Sequence, residues 1–389
     1  MRKKVWIFNH YAAEMLINEG GRHYWFAKYL KKSGYEPVVF TCNVMHFNGG
    51  NYYNSDNLWH EHSAPDGFPF VMIRSTPYQG NGKSRVKNTL VFAKNLAITA
   101  KQYAKKYGKP DIIYASSAHP FTVLVGEQLA KQMRIPCICE VRDLWPESIF
   151  AYYPEKKNKL LAKVLYAGER WMYSRANMLL FTMPGGKDYI IEKGWHEKRF
   201  FRVDEKKIYH INNGVDLDVF NQNVIRNTLH DADLDDNTYC RFIYTGSIRR
   251  ANNMGLVLDA AKLLKNERVK FLIWGTGDEE ELLKERCIEE KINNVVFKGS
   301  IEKNLVPSVL SQGDINFFVL EETSIVKYGP SLNKSFEYLA SDKPLFIVGD
   351  VAYSMIDAYQ CGVHVKSFCA NAFVDGVKNI LSLSIEEYR

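Results

Sequence analysis

The chain reads as an α/β protein of two doubly wound, Rossmann-like domains facing each other across a cleft. Three observations carry that reading. At 389 residues the chain exceeds what one hydrophobic core usually fills. Short apolar runs alternate with longer stretches of helical period, the signature of parallel strands joined by helices. The alternation starts afresh after EKGWHEKRFFRVDEKK, residues 192–207, a charged stretch without a clean period, so the domains are expected at 1–200 and 201–389.

In the first half, KVWIF is a strand. The Gly20-Gly21 turn follows, then an amphipathic helix expected to turn Trp25, Phe26, Tyr29 and Leu30 inward, then the strand EPVVFT. DIIYAS and PCICEV repeat the theme. The second half reads KIYHI and RFIYTG as strands, GLVLDAAKLLK as a helix, VKFLIWG as a strand, EEELLKERCIEE as a helix, VVFKG and INFFVL as strands, NKSFEYLAS as a helix and PLFIVG as a strand. Ligands of such sheets bind beyond the carboxyl ends of the strands, so a ligand on one domain would meet a partner on the other.

Composition narrows the class. A hydrophobic fraction of 46% is that of a soluble globular protein. No run reaches the roughly 18 apolar residues that span a bilayer, and the apolar stretch in MRKKVWIF is too short for a signal peptide, which points to an intracellular protein. Seven scattered cysteines, an odd number without paired spacing, fit buried thiols in a reducing compartment. Cys137 and Cys139 have no histidine at ligand spacing, so no metal site is expected there.

Charge divides unevenly, with 29 lysines and arginines against 16 acids in residues 1–200 and 22 against 28 in the remainder. Two halves of opposite sign suggest different partners. Between Asp66 and Asp111 there are nine basic residues and no acid, and Lys87, Lys94, Lys101 and Lys105 form one stripe on a helix that also carries Leu90, Val91, Leu96 and Ile98. Such a stripe is either a solvated face or a dock for an anionic membrane surface or lipid substrate. Nucleic acid is not expected, because no aromatic-interleaved reader motif accompanies it.

One stretch, KYGPSLNKSFEYLASDKP, residues 327–344, poses a chemical question. Read as a helix entered through Gly329, Pro330 and Ser331, it puts Lys334 in the first turn, where aligned peptide dipoles favour an acid. Glu337 follows on the same face, with Asn333 four residues before it. A sugar nucleotide would satisfy this pattern, its diphosphate on Lys334 and the helix N-H groups and its ribose on Glu337.

Four stretches of the second half, in order, resemble family 4 glycosyltransferases of the GT-B fold. INNGVDLDVF (residues 211–220) resembles the lead-in to the donor domain, and YTGSIRRANNMGLVLDAAKLL its first strand, glycine turn and helix, with Gly246 in the turn. WGTGDEEELL resembles the next glycine turn, and SLNKSFEYLASDKPL the donor-binding helix and following strand. Spacing, order and the first-half glycine pair agree over nearly the whole chain.

The resemblance implies roles. Glu337 matches the second glutamate of the family's Glu, seven residues, Glu motif, which contacts the nucleotide ribose, and Lys334 sits where a phosphate-facing lysine is expected. The first glutamate would fall at Gly329 and is missing; a branch that builds bacterial O-antigen and capsule, similar to N-acetylfucosaminyl transferases, shows a comparable Tyr-Gly before its Asn-Lys. Where the family commonly has a cation and a lysine after the first glycine turn, this chain has Ser247 and Asn252 or Asn253, so Arg249 with Arg250 is the expected substitute. Gly20 and Gly21 would let backbone N-H groups approach the diphosphate. EVRDLWPES, residues 140–148, resembles the segment lining the acceptor side. There Asp143 is expected to orient the acceptor hydroxyl and Arg142 to stand near the donor phosphate, with His119 of SSAHPF as the other candidate.

The activity so implied is transfer of a hexosyl or N-acetylhexosaminyl group from a nucleotide-diphosphate donor, uridine by family habit, to a saccharide hydroxyl with retention of configuration. A lipid-linked acceptor at the cytoplasmic face of a membrane is expected, supported by the basic stripe and by the aromatic loop LWPESIFAYYP, for surface polysaccharide assembly. No cofactor or metal is expected, since no Asp-any-Asp pair is placed to hold one. Two alternatives stay open: a sugar-nucleotide 2-epimerase, which would convert donor without an acceptor, and a non-catalytic binding subunit, which the missing glutamate would suit. The family usually continues past a segment like SIEEYR with a helix returning to the first domain, so a chain ending at Arg389 is expected to be short or to close weakly.

Overall fold

The structure, a computed structural model, describes residues 2–45, 49–53, 56–80, 82–117, 119–157 and 159–384. The expectation attached to SIEEYR therefore lies outside the described residues from position 385 onward. The chain forms two compact units, Met1–Asn212 and Asn213–Arg389. Both are doubly wound α/β units, as predicted.

The first unit is built on β1 (Lys4–Phe8), β2 (Glu36–Cys42), β3 (Trp59–Ser63), β4 (Pro69–Ile73), β5 (Ile112–Ser116), β6 (Cys137–Val141), β7 (Met178–Phe181) and β8 (Ile208–His210). Their order in the sheet is β3-β4-β2-β1-β5-β6-β7-β8. All neighbours pair parallel except the edge strand β3, antiparallel to β4. No strand is predicted where β3 lies, because WHEHS sits at the sheet edge and carries no apolar period. KIYHI was expected to open the second half, yet as β8 it pairs with β7, Leu179 opposite Ile208, and completes the first sheet.

Helix Arg22–Lys32 corrects a predicted face. Its buried residues are Arg22, His23, Tyr24 and Ala27. Trp25, Phe26 and Leu30 are half-buried against the core, whereas Tyr29 is exposed. Two polar residues displace the aromatics from the inside because they have a buried partner, described below. The basic helix is Lys83–Tyr107, and Lys87, Lys94, Lys101 and Lys105 are all exposed on it. It packs on helix Pro120–Met133, as does helix Leu160–Arg175.

The second unit carries β9 (Cys240–Thr245), β10 (Val269–Trp274), β11 (Val295–Gly299), β12 (Ile315–Val319), β13 (Leu345–Val348) and β14 (Gly362–Val365), in the order β11-β10-β9-β12-β13-β14 and all parallel. Continuous apolar runs such as RFIYT and INFFV suit strands covered on both faces. Phe242, Phe271, Phe317, Phe346 and Phe373 meet edge-on in the core, each fully buried and each stabilising by about 1.5–3 kcal/mol. Cys42, Cys137 and Cys139 are buried thiols as expected, but Cys369 is exposed. Among the described residues no helix is long and apolar enough to cross a membrane.

Candidate active site

In the C-terminal unit two glycine turns meet at the carboxyl ends of β9 and β10. A Cβ on Gly275 would lie 1.7 Å from the Gly246 carbonyl oxygen, and one on Gly277 would lie 1.8 Å from that of Ile248, so only glycine lets the two backbones touch. The Gly246 N-H donates to Trp274 and the Ile248 N-H to Thr276, closing the floor of the site.

Helix Asn333–Ala340 docks on this floor through Tyr338, fully buried, whose hydroxyl accepts from the Thr245 N-H at 2.7 Å and donates to the Thr245 carbonyl at 3.1 Å. One turn earlier, that register brings Lys334 beside Gly246, whose missing side chain leaves the room. Lys334 Nζ donates to the Tyr244 hydroxyl at 3.0 Å and to Asn252 Oδ1 at 2.9 Å, and stands 4.4 Å from the Tyr244 ring centroid. Asn252 is aimed by its own amide group, which donates to the carbonyl and hydroxyl of Ser247. Every partner of Lys334 among the described residues is neutral. Burial with no opposing carboxylate lowers its pKa to about 7. An unneutralised ammonium at the N-terminus of a helix is a site for an anion.

Glu337 lies one turn further along and is largely buried, its carboxylate held by the exposed Lys303. Asn333 is exposed at the helix start. Arg249 and Arg250 are exposed on the turn after Gly246; Arg249 has no side-chain partner among the described residues, while Arg250 stands 4.0 Å from Glu321. Just past β12, Glu321 has its second oxygen buried without a hydrogen-bond partner among the described residues. Gly329, where the family's first glutamate would fall, has φ +79°, a conformation that strains any residue with a side chain.

The N-terminal unit gathers its predicted residues on the carboxyl ends of three adjacent strands, β1, β5 and β6. Gly21 caps helix Arg22–Lys32 with φ +106°, and a Cβ there would press on Met15 at 3.1 Å. The Gly20 amide donates to the Met15 carbonyl, which leaves the Gly21 amide as the one of the pair without a protein partner among the described residues. The turn is pinned by Glu140. Arg22 Nε donates to Glu140 Oε1 at 2.5 Å, His23 Nε2 meets Oε2 at 2.8 Å, and the Tyr114 hydroxyl donates to Oε1. The other Arg22 nitrogens donate to the carbonyls of Ile211 and Asn212. Burial opposes the Glu140 charge, but His23, Arg22 and Arg142 outweigh it and hold the carboxyl well below the usual range.

His119 opens helix Pro120–Met133 and pairs with His10, Nε2 to Nδ1, at 2.5 Å. His10 Nε2 in turn meets Asn88 Oδ1 at 2.8 Å, so the neutral tautomer that satisfies the chain has His119 Nε2-H donating and its Nδ1 as a bare acceptor. That Nδ1 is buried and has no partner among the described residues. Burial, with Arg85 nearby, lowers the ring pKa to about 3. Arg142 is half-buried, its N-H donating to the Ser117 hydroxyl, and Asp143 is exposed; neither side chain has an ion-pair partner among the described residues.

Residues 24–219, just over half of the chain, match the family described as Glycosyltransferase Family 4. The chain belongs to that family. Residues 240–382 match Glycosyl transferases group 1. Solved structures similar to this family 4 glycosyltransferase include sucrose-phosphate synthase from Thermosynechococcus elongatus, 16% identical with a TM-score of 0.67, covering 98% of this chain and 90% of that one. HepE of Anabaena in complex with UDP and glucose is 12% identical, with a TM-score of 0.62 and coverage of 100% and 92%. A UDP-forming trehalose-phosphate synthase from Burkholderia xenovorans is 13% identical, with a TM-score of 0.69 and coverage of 100% and 93%. Comparison with curated proteins gives no match. The family 4 fold is GT-B, as the motif order implied.

Several residues of this glycosyltransferase's candidate site are not marked by any motif in the sequence. Tyr244, which holds Lys334, looked like a strand residue, and Asn252, its other partner, stood out only as a departure from the family's lysine. Lys303 comes from a distant segment. Glu140 is the first residue of EVRDLWPES, and the polar start of an otherwise amphipathic helix at Arg22 and His23 is the signal of its partners.

Proposed function

We propose that this glycosyltransferase moves a sugar from a UDP-sugar to a saccharide hydroxyl with retention of configuration, using the C-terminal unit for the donor and the N-terminal unit for the acceptor. The observation that carries the donor assignment is Lys334, half-buried, held only by neutral oxygens and set at a helix N-terminus beside two glycine turns. Negative charge develops on the departing diphosphate, and Lys334 and the helix dipole, held in place, together with the exposed Arg249 or Arg250, stabilise it without a metal. Glu337 takes the ribose. HepE, of the same fold, holds UDP and glucose, which supports uridine as the base.

Glu321 takes the sugar-hydroxyl contact that Gly329 cannot make, since its buried oxygen lacks a partner. Glu321→Gln should therefore raise the KM of the sugar nucleotide while leaving free UDP binding unchanged; equal weakening of both would remove Glu321 from that role. On the acceptor side, His119 Nδ1 and Asp143 receive the hydroxyl. A histidine of such low pKa suits positioning rather than strong base catalysis, with the leaving phosphate taking the proton on the same face.

The acceptor is a lipid-linked saccharide of surface polysaccharide assembly at the inner face of the membrane, as in the N-acetylfucosaminyl-transferase-like branch; the exposed lysines of helix Lys83–Tyr107 support this. The test of the donor site is thermal stabilisation by UDP, GDP, ADP and CMP of wild type and Glu337→Ala. At 100 times its dissociation constant UDP should add about 2.7 kcal/mol to wild type and much less to the variant. Absence of stabilisation by every nucleotide would defeat the donor assignment, and binding without turnover of any sugar nucleotide would favour a non-catalytic subunit.

A further inference from the structure

We propose that the exposed face of helix Leu160–Arg175 is a docking surface for an anionic lipid bilayer. Leu160, Leu161 and Val164 are 78%, 67% and 59% exposed, and Ala167, Gly168 and Trp171 continue the exposed strip along the same side. Apolar side chains bare on successive turns are not a solvated face. Exposed lysines rim the strip. Lys157 and Lys193 are taken up by Glu147, but Lys156, Lys159 and Lys163 form no ion pair among the described residues. Glu155 is the one exposed acid among the described residues from 148 to 175.

Position and charge together choose the occupant. The helix ends just before β7 enters the sheet at its amino edge, so its first turns lie toward the carboxyl edge, where His119, Arg142 and Asp143 stand. A surface there would hold a lipid-linked acceptor's headgroup next to the residues that receive it. In a two-fold contact with a second copy the unpaired lysines would face their own kind, whereas anionic headgroups neutralise them. The helix would lie in the headgroup plane with Leu160, Leu161 and Val164 inserted. The proposal rests on the lipid-linked reading of the acceptor and gives it a place on the chain.

Co-sedimentation of the full chain with phosphatidylcholine vesicles, with and without phosphatidylglycerol, tests it. Wild type should bind only the anionic vesicles. The combined substitution Leu160→Ser, Leu161→Ser and Val164→Ser should weaken binding at least about tenfold, and Lys159→Gln or Lys163→Gln roughly fivefold each. Stabilisation by UDP, measured on the same variants, should be unchanged, which separates this surface from the donor site. Wild type that ignores anionic vesicles, or vesicle binding untouched by the apolar substitutions, overturns the proposal. So does self-association in solution that the same substitutions abolish, which would assign the face to a second copy.

Discussion

The two candidate half-sites handle buried charge in opposite ways. In the N-terminal unit the Arg22 guanidinium meets the Glu140 carboxylate and two backbone carbonyls, and Glu140 also accepts from Tyr114, so these two charges are answered within the protein. In the C-terminal unit Lys334 is half-buried and, among the described residues, given only a phenol, an amide oxygen and a ring. A neutralised cation shapes a turn; an unneutralised one is where the proposed donor assignment puts an anion. The residue types look alike in the sequence, and the partner alone separates structure from function.

The contrast breaks most visibly at Glu140. Replacing it by Gln leaves Arg22 charged and buried without its counter-ion, and should lower the unfolding free energy by about 3–5 kcal/mol, read by urea denaturation. Adding Arg22→Met should restore much of that loss.

Lys334→Met should behave oppositely. Folding stability should hold or rise, because a desolvated charge is removed, while kcat falls by about 100- to 1,000-fold. The sign with pH follows from a folded pKa of about 7 below an unfolded value of 10.5. Between those values the unfolded chain holds the proton that folded Lys334 has released, so the free protein gains stability as pH rises through the window. UDP affinity should fall over the same rise, by at most about tenfold per pH unit, because the anion needs the charged form. Calorimetry of UDP binding across that range, in wild type and Lys334→Met, would show whether the slope belongs to this lysine.

The smallest effect sharpens the acceptor side. Folded His119 resists protonation until about pH 3, whereas the unfolded ring takes up a proton near 6.5, so stability is lost as pH falls between them. His119→Gln should flatten that part of the stability profile. It should also raise the acceptor KM more than it lowers kcat, the pattern of a positioning group; a collapse of kcat with KM unchanged would instead make His119 a base.

Much of this was legible beforehand. The alternation of apolar runs and helical periods gave two doubly wound units, because covered parallel strands must be apolar along their length. Ordered glycine turns and NKSFEYLA marked the segments that converge in the C-terminal unit, because only glycine lets two backbones meet so closely. Edge strand β3 was hidden because half-exposed WHEHS has no apolar signal, and β8 was placed in the wrong half because three residues do not say which sheet they join.

By itself the sequence determined the fold class, the family and the segment that carries Lys334 and Glu337, all properties of local pattern. Tertiary structure alone decided which charges are answered. Arg22 and Glu140 are 118 positions apart, Lys334 and Asn252 are 82 apart, and Lys303 and Glu337 are 34 apart. No local period encodes such pairs, because they arise where strand ends from distant parts of the chain converge on one edge of a sheet.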